Sequence, residues 1–159
     1  MRVAYESPRV TLYQGDCRDI LPTLTKGGAD LLITDPPYGM GWQSRLRAER
    51  FRPIAGDDGS LDVPAALAQT LPALRGYRHV YVFGLTADVL AEPMQLGGTC
   101  ELVWDKGQPG PGNLAIPWAP SHERILFGVY SPSKSGRERG DGRLSARLRQ
   151  ASVLTVPRR

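Results

Sequence analysis

The segment Ala29-Asp30-Leu31-Leu32-Ile33-Thr34 is apolar almost throughout and is cut off at once by Asp35-Pro36-Pro37. Strands buried on both faces of a parallel sheet read as continuous apolar runs rather than alternating ones. Proline has no N–H to give to a sheet ladder, so such a strand has to stop where two prolines follow. The chain is thereby committed to a buried strand that ends in a rigid polar loop.

Other runs share this character. Residues 10–13, 79–83 (HVYVF), 100–104 (CELVW) and 124–130 (RILFGVY) are rich in β-branched and aromatic residues. Residues 153–156 form a further short strand candidate. Between them lie helix-compatible stretches. Ile20, Leu21 and Leu24 make one apolar stripe over 18–24, shortened by Pro22. Ser60 or Asp62 caps a helix over 63–74, with Pro64 in its first turn and Pro72 fraying its end. Thr86 or Asp88 starts another over 89–96, bent by Pro93 and closed by Gly97-Gly98. Strands alternating with helices imply an α/β fold with a mostly parallel sheet. The strands at 100–104 and 124–130 have only a loop between them, so they pair antiparallel. Three polar signals fall at strand ends: Gly15-Asp16, Asp35-Pro36-Pro37-Tyr38 and Trp104-Asp105-Lys106. Open α/β sheets bind ligands beyond the carboxyl ends of their strands, which makes these three the first candidates for a site.

Composition narrows the classes. A length of 159 residues suits one domain, and 41% hydrophobic with 23% charged residues excludes a wholly disordered chain. Glycine (18) and proline (14) are frequent enough to put much of the chain in loops. No apolar run reaches the ~18 residues of a membrane-spanning helix, and MRVAYESPRV has no signal-like apolar core. The expected compartment is the cytoplasm, with no membrane partner. Two cysteines, Cys17 and Cys100, make neither a disulfide framework nor a zinc cluster, and no metal is expected.

The net charge of +4 is unevenly spread: residues 134–159 carry +6 and the first 133 carry −2. We therefore divide the chain into a main part, 1–133, and 134–159, a basic Gly/Arg-rich tail or the start of a missing segment. A basic segment of this kind suits phosphate contacts. Arg143 and Arg147 are its DNA-binding candidates. A second basic cluster, Arg45, Arg47, Arg50 and Arg52, is flanked by Trp42 and Phe51. Arginine interleaved with aromatics suits single-stranded or flipped bases.

The chemistry concentrates at Asp35-Pro36-Pro37-Tyr38. Two prolines fix their own φ angles, and each pushes the preceding residue out of the helical region. The tetrapeptide therefore offers a carboxylate, unused carbonyls and an aromatic ring in a stiff frame. Those groups match an exocyclic amine: its two N–H bonds find acceptors and its base finds a stacking face. Enzymes that modify a base take it out of the helical stack in this way.

Asp35-Pro36-Pro37-Tyr38-Gly39 after an apolar strand resembles the catalytic motif of amino-group DNA methyltransferases, which use S-adenosylmethionine. Residues 12–24 (LYQGDCRDILPTL) with ADLLITDPPYG resemble the subgroup whose catalytic half precedes its cofactor half. Ile54-Ala55-Gly56-Asp57, Val103-Trp104-Asp105-Lys106 and His122-Glu123-Arg124-Ile125-Leu126 resemble later segments of that family. The resemblance covers about residues 10–130. It implies an α/β, Rossmann-like methyltransferase sheet, mostly parallel with an antiparallel terminal strand pair. It implies a catalytic set of Asp35, Pro36, Pro37 and Tyr38, with Asp35 and the Pro36 carbonyl accepting from the target amine and Tyr38 stacking on the base. It places Asp16 and Cys17, with Asp35, at the cofactor. The partner implied is double-stranded DNA, methylated at adenine N6. N4-cytosine transfer, a non-catalytic DNA-binding protein on a truncated scaffold, and RNA or protein methylation are the alternatives. The mechanism needs no covalent intermediate, so both cysteines are expected to be structural. Trp104 and Trp118 are expected to pack, and His122 to be a structural residue. The family's Phe-x-Gly-x-Gly cofactor loop is not found. The sheet is then incomplete and Leu31–Thr34 exposes an apolar edge; a truncated or degenerate methyltransferase, one completed by a second chain or a second copy, and a compact variant with a rearranged cofactor site are the explanations left open.

Overall fold

The computed structural model describes residues 2–41, 52–109, 117–135 and 150–156. A hairpin comes first: β1 (Arg2–Ser7) pairs antiparallel with β2 (Val10–Gln14) as a separate two-stranded sheet. The sequence reading missed β1 and joined 10–13 to the main sheet. β1 buries little, so its sequence carries no strong apolar run; Val3, Tyr5, Val10 and Leu12 all stay exposed. A short helix α1 (Cys17–Ile20) and one 3-10 turn (Leu21–Thr23) follow, as Pro22 requires.

The main sheet has five strands: β3 (Ala29–Thr34), β4 (Leu74–Phe83), β5 (Leu96–Asp105), β6 (His122–Tyr130) and β7 (Val153–Thr155). Their spatial order is β3-β4-β6-β5-β7. β3 and β4 are parallel, as are β5 and β7; β6 runs antiparallel to both neighbours, β4 and β5. Four strands therefore share one direction and β6 opposes them. The expected mixed α/β sheet is present, with the β5–β6 pair antiparallel as anticipated. β7 extends the sheet beyond that pair, so the pair does not terminate it.

Strand alternation decides where the core sits. Val80 and Val82 of β4 are fully buried and meet Leu126 of β6 on one face. Leu67 of helix α2 (Val63–Ala68), Leu71 just beyond it, Leu90 of helix α3 (Ala87–Leu90) and Met94 cover that face. Burying each such side chain stabilises the fold by about 1.5–3 kcal/mol. Both helices are shorter than the sequence implied. Leu74 and Leu96, which extend each helical stripe, begin strands instead: Leu74 pairs with Ala29, and Leu96 with Tyr130. The Asp62 cap is as expected, its side chain accepting from the Ala65 N–H at 3.0 Å.

The opposite face carries His79, Tyr81, Phe83, Phe127 and Trp104. Ring centroids lie 5.2 Å apart for His79–Phe127, 5.3 Å for Tyr81–Phe127 and 6.3 Å for Phe83–Trp104. β3 forms an edge of the sheet, and there Leu31 and Ile33 are 48% and 62% exposed. The expected apolar edge is thus real, but the expectation of a strand buried on both faces is not met: no residue of β3 is fully buried, because the strand has a neighbour on one side only. Asp30, which ion-pairs with Arg75 and Arg78 at 2.7 and 2.8 Å, puts charge beside it.

Candidate active site

The topology gathers four strand ends. β3, β4 and β5 run the same way, so Asp35, Gly84 and Lys106 emerge together. β6 runs the opposite way, so it starts at that same edge; Asp105 pairs with His122 and Phe83 with Ile125. A cleft of about 740 Å³ opens there, lined by Asp35, Pro36, Pro37, Tyr38 and, across from them, Asp57, Lys106, His122 and Glu123. Met40, Ile54 and Pro120 complete its wall. The volume falls within the ~300–1,000 Å³ usual for ligand sites. A second, smaller cleft of about 200 Å³ lies by Asp88, Cys100 and Glu101, where Arg124 donates to Glu101 at 2.7 Å.

Within the main cleft the Tyr38 hydroxyl donates to the Asp35 carboxylate. Burial first, and then this bond and the charges of Asp35 and Glu123, push the Tyr38 phenol above its ordinary range. It is therefore a neutral donor at any working pH. The Tyr38 ring lies directly over Gly84: a Cβ there would sit 2.6 Å from Cζ and 2.9 Å from Cδ1. Pro36 is buried while Asp35 is exposed, so the motif presents its carboxylate to the opening. Among the described residues the Pro36 carbonyl has no backbone donor.

The far wall is an ion pair. Lys106 is 7% exposed as a residue; its ammonium bonds Glu123 and lies 5.3 Å from the Trp104 ring centroid. Burial of that charge is offset by the carboxylate and by the ring face. Two carboxylates, Asp35 and Glu123, thus stand in the cleft with one lysine, and Asp57, 4% exposed, is buried in its wall. Such a cleft favours cationic ligands and N–H donors over anions.

The expected site residues are only partly brought together. Asp35, Pro36, Pro37 and Tyr38 converge with Lys106, His122 and Glu123. Asp16 and Cys17 do not line the cleft. Asp16 follows the separate hairpin and caps α1, accepting from Arg18 N at 2.9 Å and from the Arg18 guanidinium at 2.5–3.2 Å. These bonds, the Arg18 side chain's foremost, hold the Asp16 carboxyl down at about 2. Arg45, Arg47, Arg50, Arg143 and Arg147 lie outside the described residues; Arg52 is exposed. Two expectations need correcting. Cys17 and Cys100 are free and exposed, not packed in a core. Trp118 is 84% exposed, so it does not pack, whereas Trp104 does and also donates to Val156 O at 2.9 Å. His122 opens β6, opposite Asp105, and is also an exposed residue of the cleft wall, a place the sequence did not give it. Asp57 belongs to the Ile54–Asp57 segment that resembles the family, but the sequence assigns it no role in the site. No group of three or more metal-ligating side chains exists among the described residues.

No family model matches the chain. One curated sequence, an ornithine carbamoyltransferase of Renibacterium salmoninarum, is 36% identical over 92 residues, 55% of this chain and 26% of that one. Among solved structures, a candidate DNA modification methylase from Thermus thermophilus, complexed with S-adenosyl-L-methionine, superposes with a TM-score of 0.52 at 16% identity. The match covers 91% of this chain and 66% of that protein. M1.HpyAVI in complex with SAM matches at a TM-score of 0.48 and 20% identity over 77% of this chain and 54% of that one. The chain thus spans about a quarter of the curated relative's length and about half to two thirds of these structures. The methylase-like superposition bears out the α/β fold and its strand arrangement.

Proposed function

We propose that this chain is the catalytic part of an S-adenosylmethionine-dependent DNA methyltransferase acting on an exocyclic amino group, adenine N6. The observation that carries the reading is Asp35-Pro36-Pro37-Tyr38 at the carboxyl edge of β3, opening into an acidic cleft of about 740 Å³. The structural likeness to a methylase complexed with S-adenosyl-L-methionine supports it, and so does the sequence resemblance. Asp35 accepts one N–H of the target amine and the Pro36 carbonyl accepts the other. The nitrogen lone pair is then directed out of the base plane. Tyr38 exchanges its hydroxyl bond to Asp35 for a stacking contact with the base. Once the nitrogen has been methylated, Asp35 takes the proton it sheds. The cofactor supplies an electrophilic methyl group on a sulfonium.

The donor set fits the charged end of that cofactor, because the cleft opens onto the Asp35 carboxylate and the Lys106–Glu123 pair. The neighbouring wall for the rest of it comes, in this reading, from a further polypeptide or a second copy docked at the β3 edge. The curated match spans too little of its protein to transfer carbamoyltransferase activity.

The test is incubation with S-adenosylmethionine and mixed-sequence DNA, followed by nucleoside mass spectrometry. N6-methyladenine is the expected product, and Asp35→Ala abolishes it in a folded protein. Full activity in Asp35→Ala would overturn the mechanism, and N4-methylcytosine would change the target base. The +6 segment at 134–159 favours a second reading, a non-catalytic DNA binder. That reading expects salt-dependent binding indifferent to cofactor and to Asp35→Ala.

A further inference from the structure

The catalytic tetrapeptide has an unusual anchoring problem. Pro36 and Pro37 have no N–H, so the loop cannot be tied down through its own centre. Its amino-terminal end is fixed by the β3 ladder. Its carboxyl-terminal end is fixed by one residue from far along the chain. Gly39 N donates to Asp57 Oδ1 at 2.9 Å, and Met40 N donates to the same oxygen at 3.3 Å. Gly41 N donates to the Asp57 main-chain carbonyl at 2.5 Å. Three successive amides therefore converge on a single aspartate. Gly39 and Gly41, at φ +72° and +57°, adopt the left-handed turns that let them converge. Asp57 is only 4% exposed. A buried carboxylate is costly unless hydrogen-bonded, and bonds to an ionised acceptor are roughly twice as strong as neutral ones.

We propose that Asp57 is a positioning residue: its buried carboxylate latches the 39–41 turn and so holds the Pro36 carbonyl and the Tyr38 ring at the cleft. This deepens the methyltransferase reading and rests on it for its kinetic part. Asp57 Oδ1 is occupied by amides, so its effect on the reaction is exerted through the loop. Displacing a reacting group by ~1 Å costs up to ~100-fold in rate.

The experiment compares the full-length wild-type chain with Asp57→Ala and Asp57→Asn. Hydrogen exchange is read over residues 38–41, amide NMR signals at Gly39 and Met40, and kcat and KM in the methylation assay. In Asp57→Ala, protection of the 39–41 amides falls at least tenfold and kcat falls about 100-fold. KM for S-adenosylmethionine stays within about twofold, a split that general unfolding would not give. Asp57→Asn keeps an acceptor oxygen and restores most of the rate. Its neutral acceptor still moves the Gly39 and Met40 amide protons upfield, and this reading stands even where the alanine variant does not fold. Unchanged amide signals in Asp57→Asn, or unchanged protection and kcat in Asp57→Ala, would overturn the latch. A wild-type chain that methylates nothing would overturn instead the reading that this chain, alone or with a second copy of itself, carries out the transfer. Exchange and NMR would then still decide the latch.

Discussion

Replacing Gly84 by alanine tests how the tetrapeptide is supported from below. Gly84 follows β4 at φ +73°, a left-handed conformation. An L-residue there costs about 1–2 kcal/mol before any contact is considered. The new Cβ would also lie 2.6 Å from Tyr38 Cζ, where ordinary contact begins at 3.4 Å. The ring therefore has to retreat by roughly 1 Å, taking its hydroxyl away from Asp35. Tyr38 is 41% exposed, so the ring can move without disturbing the Val80–Val82 core. The expected outcome is a folded protein with its thermal midpoint lowered by about 2–8 °C and its methyl transfer reduced up to about 100-fold. A double-mutant cycle with Tyr38→Ala separates the two causes, because truncating the ring removes the clash and leaves the backbone cost. Coupling of about 0.5–3 kcal/mol is expected between the sites. Additive effects, or a Gly84→Ala variant with wild-type rate and midpoint, would refute this account of how Tyr38 is seated.

Further outcomes follow from the same geometry. The Tyr38 phenol is held neutral above its ordinary range of ~10. Its contribution to stability is complete below that pH and is lost as pH rises beyond it. Denaturant midpoints between pH 9 and 11 should therefore fall more steeply for wild type than for Tyr38→Phe. Asp16 behaves oppositely, since a carboxyl held near 2 contributes above its ordinary pKa and loses that contribution as pH falls toward 2. Arg18→Ala should return the Asp16 titration toward the usual carboxylate range, which carboxyl NMR can follow. At the β3 edge, Ile33→Lys should reduce concentration-dependent association seen by light scattering without changing the circular dichroism spectrum, because a charge there blunts strand pairing. Unchanged association would show that this edge is not the sticky surface.

The chemistry was legible because it is local. ADLLIT followed by two prolines can only be a strand that stops, and the four residues after Thr34 bring their carboxylate, carbonyl and ring within one short stretch. The sequence also shows HVYVF as a strand, but that Val80 and Val82 form its buried face is decided by the packing of the helices on it. It could not show where helices give way to strands at Leu74 and Leu96. Helix and strand compete for those leucines, and the partners that decide, Ala29 and Tyr130, lie 45 and 34 positions away. β1 had a readable turn, Ser7-Pro8, between two alternating runs, but its weak burial left little signal. The roles of Asp57 and Gly84 were illegible for a different reason. Each matters only through a contact across the fold: Asp57 with amides 18 residues earlier, Gly84 with a ring 46 residues earlier. Sequence by itself determined which groups could perform chemistry. The parallel ends of β3, β4 and β5, with antiparallel β6 returning beside them, decided which of those groups meet, because strand direction sets the edge at which a side chain emerges.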